Sequence, residues 1–342
     1  MKHLLLFGFL ILAIVYSCNN SSQEDTSNSQ IIKEYYAIEG QTQGTLYHIK
    51  YEGREDLTKD VDSILNDFEN SMSTYRENST ISKIGKNDNS VVLDKYFLQC
   101  FKKGTEISNI SHGAFDMSVA PLVNIWGFGF EHNQEADKDA IDSILQFVGY
   151  EKIRLENNRI VKDDSRIMLD ASAIAKGQSV DVVSEYLESL GIVNYLVEIG
   201  GELRAKGTKF NNENWIIGID KPIDNSGYDY RELQAKLKVI NMSVATSGSY
   251  RRFYEKDGQR YSHTIDPHTG YPVTHGLLST TVIAPDCMTA DAYATAFMVL
   301  GVEESKKIAE KDPVIQAYFI FATETDSINI TYTKGFENLF VE

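Results

Sequence analysis

The chain has 342 residues, and its 42% hydrophobic and 24% charged residues are ordinary for a globular protein, which excludes a disordered, fibrous or multi-span membrane chain. Asp and Glu outnumber Lys and Arg by 49 to 33, and a formal net charge of -16 without a local basic patch argues against nucleic-acid binding. The same charge would repel an anionic small ligand, so binding one would require a bound cation or aligned backbone dipoles.

The N-terminus has the features of an export signal. Lys2 and His3 precede an apolar run from Leu4 to Val15, which is too short to cross a bilayer comfortably. The run is followed by Ser17-Cys18 and then by a polar stretch, a pattern that resembles a bacterial lipobox. In that interpretation Cys18 becomes the lipidated first residue of the mature protein.

The domain organisation follows from this pattern. We expect a lipoprotein signal peptide over residues 1–18, a polar tether over residues 19–33 and one folded domain over residues 34–342. The domain would be exported to the periplasm and anchored to a membrane. Plain secretion with cleavage near Ser17, or an uncleaved anchor, stays open as an alternative.

The other two cysteines are Cys100 and Cys287. A total of three is too small for a disulfide scaffold or a zinc cluster. An oxidising compartment would allow these two to pair, but their contexts, a helical stretch and a helix start, favour two buried free thiols.

Hydrophobic periodicity predicts helices and mostly antiparallel strands, interspersed without an internal linker or a repeat. The predicted helices cover residues 58–70, 95–110, 173–190, 288–300 and 303–310, and a further one begins after Asp137 and ends before Gly149. The predicted strands cover residues 35–51 with a turn at Gly44, and 153–155, 159–161, 166–169, 195–199, 202–206, 215–220, 233–239, 250–254, 260–265, 315–322 and 328–331. This order predicts an α+β fold, either a single globule or two merged subdomains.

Five segments rich in glycine or carboxylate are candidates for chemistry, and the first covers residues 111–129. Its small residues would let a ligand approach the backbone closely, and Phe115 or Trp126 could pack on an aromatic ring. A buried loop between helices is the structural alternative.

The second segment, residues 169–177, joins a predicted strand that ends at Asp170 to the start of a helix. The free N–H groups of a helix start point at whatever binds there. Lys176 lies in the first turn, where a cation is unfavourable to the helix dipole, so its presence suggests an anionic partner. An ordinary helix start explains the same residues without a ligand.

The third segment is Gly200-Gly201, between two predicted strands. It could cradle a phosphate, and it is equally typical of a type I′ hairpin turn without a function.

The fourth segment joins residues 245–250, through a short hairpin, to residues 262–272, where Pro and Gly fix the loop. His263 precedes Asp266 by three residues, close enough for the carboxylate to orient the imidazole as a general base. A surface histidine near an aspartate without a role is the alternative.

The fifth segment holds Asp291 and Thr295, four residues apart on a predicted helix and therefore on one face. Carboxylate, hydroxyl and carbonyl oxygens suit Mg²⁺ rather than Zn²⁺. In the structural alternative Asp291 is a surface charge and Thr295 bonds back to its own helix.

Taken together, these segments resemble one family, the FAD:protein FMN transferases, also called ApbE-type flavin transferases. The motifs that carry the resemblance keep their order over about residues 40 to 300, and they are Gln43-Gly44-Thr45, Met72-Ser73-Thr74-Tyr75, Gly113-Ala114-Phe115-Asp116, Pro121-Leu122-Val123, Trp126-Gly127-Phe128-Gly129, Ile174-Ala175-Lys176-Gly177, Gly200-Gly201, Ala245-Thr246-Ser247-Gly248, His263-Thr264-Ile265-Asp266-Pro267, Thr269-Gly270, Ala290-Asp291-Ala292 and Ala294-Thr295. The chain departs from the family pattern at Gln43, where Met is usual, at His268, where Arg is usual, and at Ala171, where Leu is usual.

The resemblance implies an α+β fold related to the T-fold, with an antiparallel sheet and packed helices. It also implies Mg²⁺-dependent transfer of the FMN moiety of FAD to a Ser or Thr hydroxyl of a target protein, with release of AMP. The implied partners are FAD, flavoprotein subunits of membrane electron-transport complexes and, through a lipid anchor, the membrane itself; nucleic acid is not among them.

The resemblance also assigns the site residues. Mg²⁺ would be held by the carbonyl of Ala173 with Asp291 and Thr295, and His263, oriented by Asp266, would be the general base. The implied FAD contacts are Gln43, Tyr75, Ala114, Phe115, Asp116, Asp170, Lys176, Thr246, Ser247, Gly248 and Ile265. Two rival functions keep the same motifs: an FAD pyrophosphatase that gives FMN and AMP, and a non-enzymatic FAD-binding lipoprotein.

Overall fold

The computed structural model describes residues 34–129, 136–222, 232–249, 253–256, 259–323 and 327–341. The predicted signal peptide and tether, with Cys18, lie outside these residues. The strands are β1 (Glu34–Thr42), β2 (Thr45–Gly53), β3 (Ile153–Glu156), β4 (Arg159–Lys162), β5 (Tyr195–Ile199), β6 (Glu202–Lys206), β7 (Trp215–Asp220), β8 (Leu233–Val239), β9 (Met242–Gly248), β10 (Phe253–Lys256), β11 (Gln259–Ser262), β12 (Leu277–Ala284), β13 (Gln316–Ala322) and β14 (Ile328–Tyr332).

Eight of these strands form one antiparallel sheet in the order β1-β2-β5-β6-β9-β12-β13-β14. The pairs β3-β4, β7-β8 and β10-β11 are separate two-stranded sheets. The helices are α1 (Thr58–Met72), α2 (Thr80–Gly85), α3 (Lys95–Ile110), α4 (Ala120–Ile125), α5 (Lys138–Leu145), α6 (Ala175–Ser189) and α7 (Cys287–Ala309). The antiparallel sheet with packed helices confirms the predicted α+β fold.

The alternation of side chains along the strands places a core on each face of the large sheet. On β12, Val282 belongs to the same core cluster as the α7 residue Phe297. The next residue, Ile283, belongs to a cluster that includes Trp215 of β7 and Leu237 of β8. Helices therefore cover one face of the sheet, and the β7-β8 hairpin covers the other.

Most predicted elements are confirmed to within a few residues, and the two free cysteines, Cys100 and Cys287, are buried as expected. The strand predicted over residues 166–169 is wrong. Ile167 and Leu169 are buried there in irregular backbone, because they pack into the core without a partner strand. Among the described residues, no helix combines the length and the apolar character needed to span a bilayer.

Two further differences concern the C-terminal half. The two predicted tail helices are one helix, α7, interrupted at Gly301, which has a φ of 74° and a ψ of 178°. Two central strands, β9 and β12, were missed. Strand β12 is buried along almost its whole length and so lacks the alternation that identifies a half-exposed strand. The turn of the predicted hairpin at residues 257–258 lies outside the described residues.

Candidate active site

The start of α6 lies against the first turns of α7. Gly177 is in the first turn of α6, where backbone N–H groups have no partner within the helix. Its N–H donates to Oδ2 of Asp291 at 2.9 Å. A Cβ atom on Gly177 would lie 2.3 Å from the carbonyl oxygen of Cys287, so only glycine permits this approach. The buried Asp291 carboxylate is thereby held at the positive end of the α6 dipole.

Lys176, the residue before this glycine, forms an ion pair with a residue of strand β6. Its Nζ lies 2.5 Å from Oε1 of Glu202, the first residue of β6, whose side chain is only 3% exposed. The second carboxylate oxygen of Glu202 is buried without a hydrogen-bond partner. Lys176 thus forms an ion pair with one buried carboxylate, that of Glu202, and its charge also acts on a second, that of Asp291.

The electrostatics of this cluster reflect the excess of negative charge. Burial raises the pKa of Asp291, against the opposing effects of Lys176 and the Gly177 N–H. Burial likewise raises the pKa of Glu202, to about 7, and the charge of Asp291 adds to the rise while Lys176 opposes it. For Lys176, burial lowers the pKa, but Glu202 and Asp291 outweigh it, so the pKa is raised overall. A cation beside Asp291 would offset this unbalanced charge.

Oxygen atoms from β9 reach the same face of α7. Thr295 lies one turn after Asp291, and its Oγ1 is 3.5 Å from Oγ of Ser247. The neighbouring Thr246 shares a 2.8 Å hydrogen bond with Thr281 across the β9–β12 pair, and Gly248 follows at the end of β9. Ser247 therefore lies beside the α7 face that carries Thr295, whereas the side chain of Thr246 alternates to the other face of the sheet.

The donor set predicted for Mg²⁺ fits the chemistry of this place. Asp291 and Thr295 present a carboxylate and a hydroxyl on one helix face, and Ala173 lies just before α6. All three supply hard oxygen atoms. Among the described residues, no group of three or more His, Cys, Asp or Glu side chains could hold a metal ion, so a site here depends on neutral oxygens as well.

The loop after α3 holds Ala114, Phe115 and Asp116, and all three are buried. Asp116 accepts hydrogen bonds from the Ser118 N–H and hydroxyl, both at 2.7 Å, and from the Tyr150 N–H at 2.8 Å. The ring of Phe115 lies in the core, which favours the buried-loop alternative for this ring, and its contact with FAD stays a prediction. A ligand contact from this loop would use its backbone.

Asp170 connects this loop to the start of α6. Its N–H donates to the carbonyl of Met117 at 2.7 Å, and its side chain accepts from the Ser172 N–H at 2.7 Å. The two segments that the sequence marked separately are therefore joined by a backbone hydrogen bond.

Gln43 occupies the turn between β1 and β2, with a φ of 49°. Its N–H donates to Oε1 of Glu69 at 2.7 Å, and Glu69 also forms an ion pair with Arg76. The side-chain Nε2 of Gln43 is buried without a hydrogen-bond partner. Tyr75, whose side chain is 84% exposed, directly precedes Arg76. The two predicted flavin contacts, Gln43 and Tyr75, are therefore linked through Glu69 and Arg76.

The loop after β11 contains the predicted base. His263 is half-buried, and its ring packs edge-on against Phe128 at a centroid distance of 6.3 Å. Asp266 accepts from the His268 N–H at 2.9 Å and from the Thr269 hydroxyl at 3.2 Å. These hydrogen bonds stabilise the turn that follows Asp266, and the expected orientation of His263 by this carboxylate stays a prediction. Ile265 is buried.

Two charged residues of this region were not among those predicted for the site. Glu202 directly follows Gly200-Gly201, which forms a hairpin turn, one of the two alternatives for this segment, with φ values of 63° and 109°. Asp181 of α6 accepts from the Cys287 and Met288 N–H groups at 3.0 and 2.8 Å and so caps α7. Burial raises the pKa of Asp181 to about 6. Asp181 could have been identified from the sequence as a carboxylate among the apolar residues of the predicted helix.

Comparison with known proteins identifies the family of the chain. The ApbE family model matches residues 43–319. The chain is 38% identical over 291 residues to an FAD:protein FMN transferase of Vibrio cholerae, covering 82% of this chain and 86% of that protein. It is 31% identical over 323 residues to the FAD:protein FMN transferase of Escherichia coli K12, covering 90% of both chains.

Solved structures agree with the sequence relatives. The flavin transferase ApbE of Vibrio cholerae superimposes with a TM-score of 0.81 at 36% identity, over 90% of this chain and all of that one. The apo form of the Pseudomonas stutzeri flavinyl transferase ApbE gives a TM-score of 0.79 at 32% identity, over 90% of this chain and 97% of that one. The similarity thus covers nearly the whole described chain.

Proposed function

The chain belongs to the ApbE family, and we propose from this membership that it transfers the FMN moiety of FAD to a serine or threonine hydroxyl of a target protein and releases AMP. The relatives, which the chain matches over most of their length, are named FAD:protein FMN transferases. Flavin transfer with FAD as substrate is therefore the family activity. The observation that carries the finer proposal is the placement of Asp291 at the start of α6, with Thr295 one turn further along α7.

The proposed reaction breaks the phosphoanhydride bond of FAD and forms a phosphoester bond to the target protein. The hydroxyl oxygen of the target attacks the phosphorus of the FMN half of FAD, and the bond from that phosphorus to the bridging oxygen breaks. AMP leaves with the bridging oxygen, and the hydroxyl proton passes to a base. Because the leaving and attacking groups are both oxygens, catalysis requires alignment and stabilisation of phosphate charge rather than covalent participation by the protein.

The site offers residues for each of these tasks. Asp291, Thr295 and the carbonyl of Ala173 would hold Mg²⁺, which when bound would neutralise charge on the diphosphate. The backbone around Asp170 and the first turn of α6 would face the phosphates. Lys176, fixed at 2.5 Å from Glu202, would add a positive charge there.

His263 is the proposed base. It would accept the proton of the target hydroxyl on a ring nitrogen. The half-buried ring and its contact with Phe128 would limit its motion, which supports a defined orientation. The remaining predicted contacts would hold FAD along the loops that carry Gln43, Ala114 and Ile265.

The proposed location follows from the N-terminal sequence. Cleavage before Cys18 and lipidation of that residue would anchor the domain to a membrane and place it in the periplasm. Flavoprotein subunits of membrane electron-transport complexes are then the proposed acceptors, because they would lie at the same membrane surface.

One experiment separates this function from its rivals. The protein is incubated with FAD, Mg²⁺ and a purified candidate acceptor subunit, and the acceptor is weighed by mass spectrometry while AMP is quantified. A gain equal to FMN less one water, lost when the acceptor serine or threonine is replaced by alanine, supports the transferase. FMN and AMP formed without acceptor modification would indicate a pyrophosphatase, and FAD bound but unchanged would indicate a binding protein.

A further inference from the structure

The side chain of His268 connects two loops that are distant in sequence. Its Nε2 lies 2.8 Å from the carbonyl oxygen of His112, and its Nδ1 lies 3.1 Å from Oδ1 of Asp266. A carbonyl oxygen only accepts hydrogen bonds, so Nε2 must donate. An ionised carboxylate also only accepts, so Nδ1 satisfies it best when it too carries a proton. Both contacts are therefore made at once by the imidazolium form.

The turn on the other side is shaped to receive this ring. His112 and Gly113 have φ values of 54° and 87°, both in the left-handed region. A Cβ atom on Gly113 would lie 3.0 Å from Nε2 of His268, closer than side chains normally approach. Glycine at this position therefore serves the backbone conformation and the contact together.

A second hydrogen bond joins the same two segments. Nε1 of Trp126 donates to the carbonyl of Gly270 at 2.7 Å. The loop that contains Ile265 is thus held at two points, by Trp126 near its end and by His268 at its centre. The first of these contacts joins two neutral groups, whereas the second joins an imidazole to a carboxylate as well as to a carbonyl.

We propose that His268 is a positioning residue that bridges Asp266 and the His112 carbonyl and so holds together the two loops that carry Ala114 and Ile265. The inference rests on the proposed assignment of these loops to FAD. Through these two contacts His268 keeps the loops in register for the flavin substrate.

Among the described residues, Asp266 and the hydroxyl of Thr269 lie in the same turn as His268. In the segment across from this turn, the imidazole of His112 is exposed, and the ring of Tyr150 lies 3.4 Å from the position of a Cβ on Gly113.

The test is an FAD titration by flavin fluorescence at fixed Mg²⁺ on the mature protein and three variants. His268→Ala should weaken FAD binding about three- to tenfold. His268→Arg should keep most of the wild-type affinity, because a guanidinium can donate to both the Asp266 carboxylate and the His112 carbonyl. His48→Ala, which removes an exposed histidine–carboxylate pair outside these loops, should follow the wild type.

Kinetics add a second measurement. A residue that only positions FAD loops should raise the KM for FAD in His268→Ala with little change in kcat. A ratio of affinities between His268→Ala and wild type that equals one, or a His268→Arg variant that binds FAD as weakly as His268→Ala, would overturn the bridge. Wild-type protein that binds no FAD at all would overturn the proposed function and the bridge with it.

Discussion

The backbone N–H of Gly177 donates to the carboxylate of Asp291 across the contact between α6 and α7, at 2.9 Å. The contact exists because glycine has no Cβ, which would otherwise lie 2.3 Å from the carbonyl oxygen of Cys287 and 2.7 Å from Cβ of Asp291. Helix packing and the position of the principal charged residue of the site therefore depend on the same glycine.

Gly177→Ala should consequently destabilise the protein and lower its activity together. A methyl group forced against backbone in a packed core costs about 1 to 3 kcal/mol in the free energy of unfolding. Chemical denaturation measures this cost. The transfer rate of the folded fraction should fall as well, because the helices must separate and carry Asp291 away from the start of α6.

Gly85→Ala is the matched control. Gly85 ends α2, and an added Cβ would meet no atom within 4 Å, so the change should leave stability within about 0.5 kcal/mol of wild type or raise it slightly. Equal effects of the two substitutions would contradict the role assigned to Gly177.

Glu202→Gln tests the buried ion pair through its pH dependence. Burial raises the pKa of Glu202 to about 7 in the folded protein, above the value of about 4.3 for an unfolded chain. The folded state therefore binds the proton more tightly, and wild-type stability should fall as the pH rises between these two values. Removing the titrating group should reduce this loss in the free energy of unfolding by about 1 to 3 kcal/mol.

The measurement is urea unfolding in the presence of a chelator at several pH values. Glu185→Gln provides the comparison, since Glu185 is an exposed glutamate of α6. It should keep the wild-type pH profile. A Glu202→Gln profile parallel to that of wild type would show that Glu202 does not titrate in this range.

The elements with strong periodicity could be predicted from the sequence, whereas contacts between elements could not. Helix α3 matches the prediction at both ends because Asp94 caps it and its apolar residues recur at helical spacing. Strand β12 was missed because its neighbours bury both faces. Ile167 and Leu169 show the opposite error, since apolar residues identify burial without specifying a partner strand.

The same limit applies to the site. The motif residues were identified individually, and Asp291 and Thr295 share a helix face as the spacing predicts. The ion pair between Lys176 and Glu202, by contrast, joins α6 to β6, and only the fold brings the two together. Phe115 illustrates a further ambiguity, because an aromatic residue in a ligand loop can equally be core.

FAD should bind more tightly than FMN. The first turn of α6, Lys176 and Asp291 with its cation would contact the diphosphate, and FMN offers one phosphate and no adenylate. A preference of about tenfold, equivalent to about 1.4 kcal/mol, is expected by fluorescence titration with Mg²⁺ present. Equal affinities would count against the whole assignment of the site.

Cys18→Ser should prevent anchoring. A lipid chain requires the thiol, so the variant should accumulate as an uncleaved precursor or as a soluble protein. Detergent phase partitioning of cell extracts distinguishes these forms, and Ser21→Ala in the tether should partition like wild type. A processed Cys18→Ser protein that still enters the detergent phase would refute lipidation at this residue.

Asp291→Asn isolates the charge at the proposed metal site. Asparagine keeps the volume and an oxygen that can accept from the Gly177 N–H, so the fold and the cap of α6 should survive. The expected loss in transfer rate is about a hundred- to a thousandfold, or roughly 3 to 4 kcal/mol, because a principal electrostatic contribution to the diphosphate is removed. Asp291→Ala should lose the cap in addition and therefore unfold more easily.

Thr295→Ala completes the comparison. Thr295 contributes a neutral oxygen, so its removal should cost less than the loss of the Asp291 charge, and raising the Mg²⁺ concentration should restore part of the activity by mass action. The same addition should not rescue Asp291→Asn, whose site lacks the charge that attracts the cation. Circular dichroism confirms that each variant is folded before rates are compared after chelator treatment and readdition of limiting Mg²⁺. Folded Asp291→Asn that transfers FMN at the wild-type rate under these conditions would remove Asp291 from the mechanism.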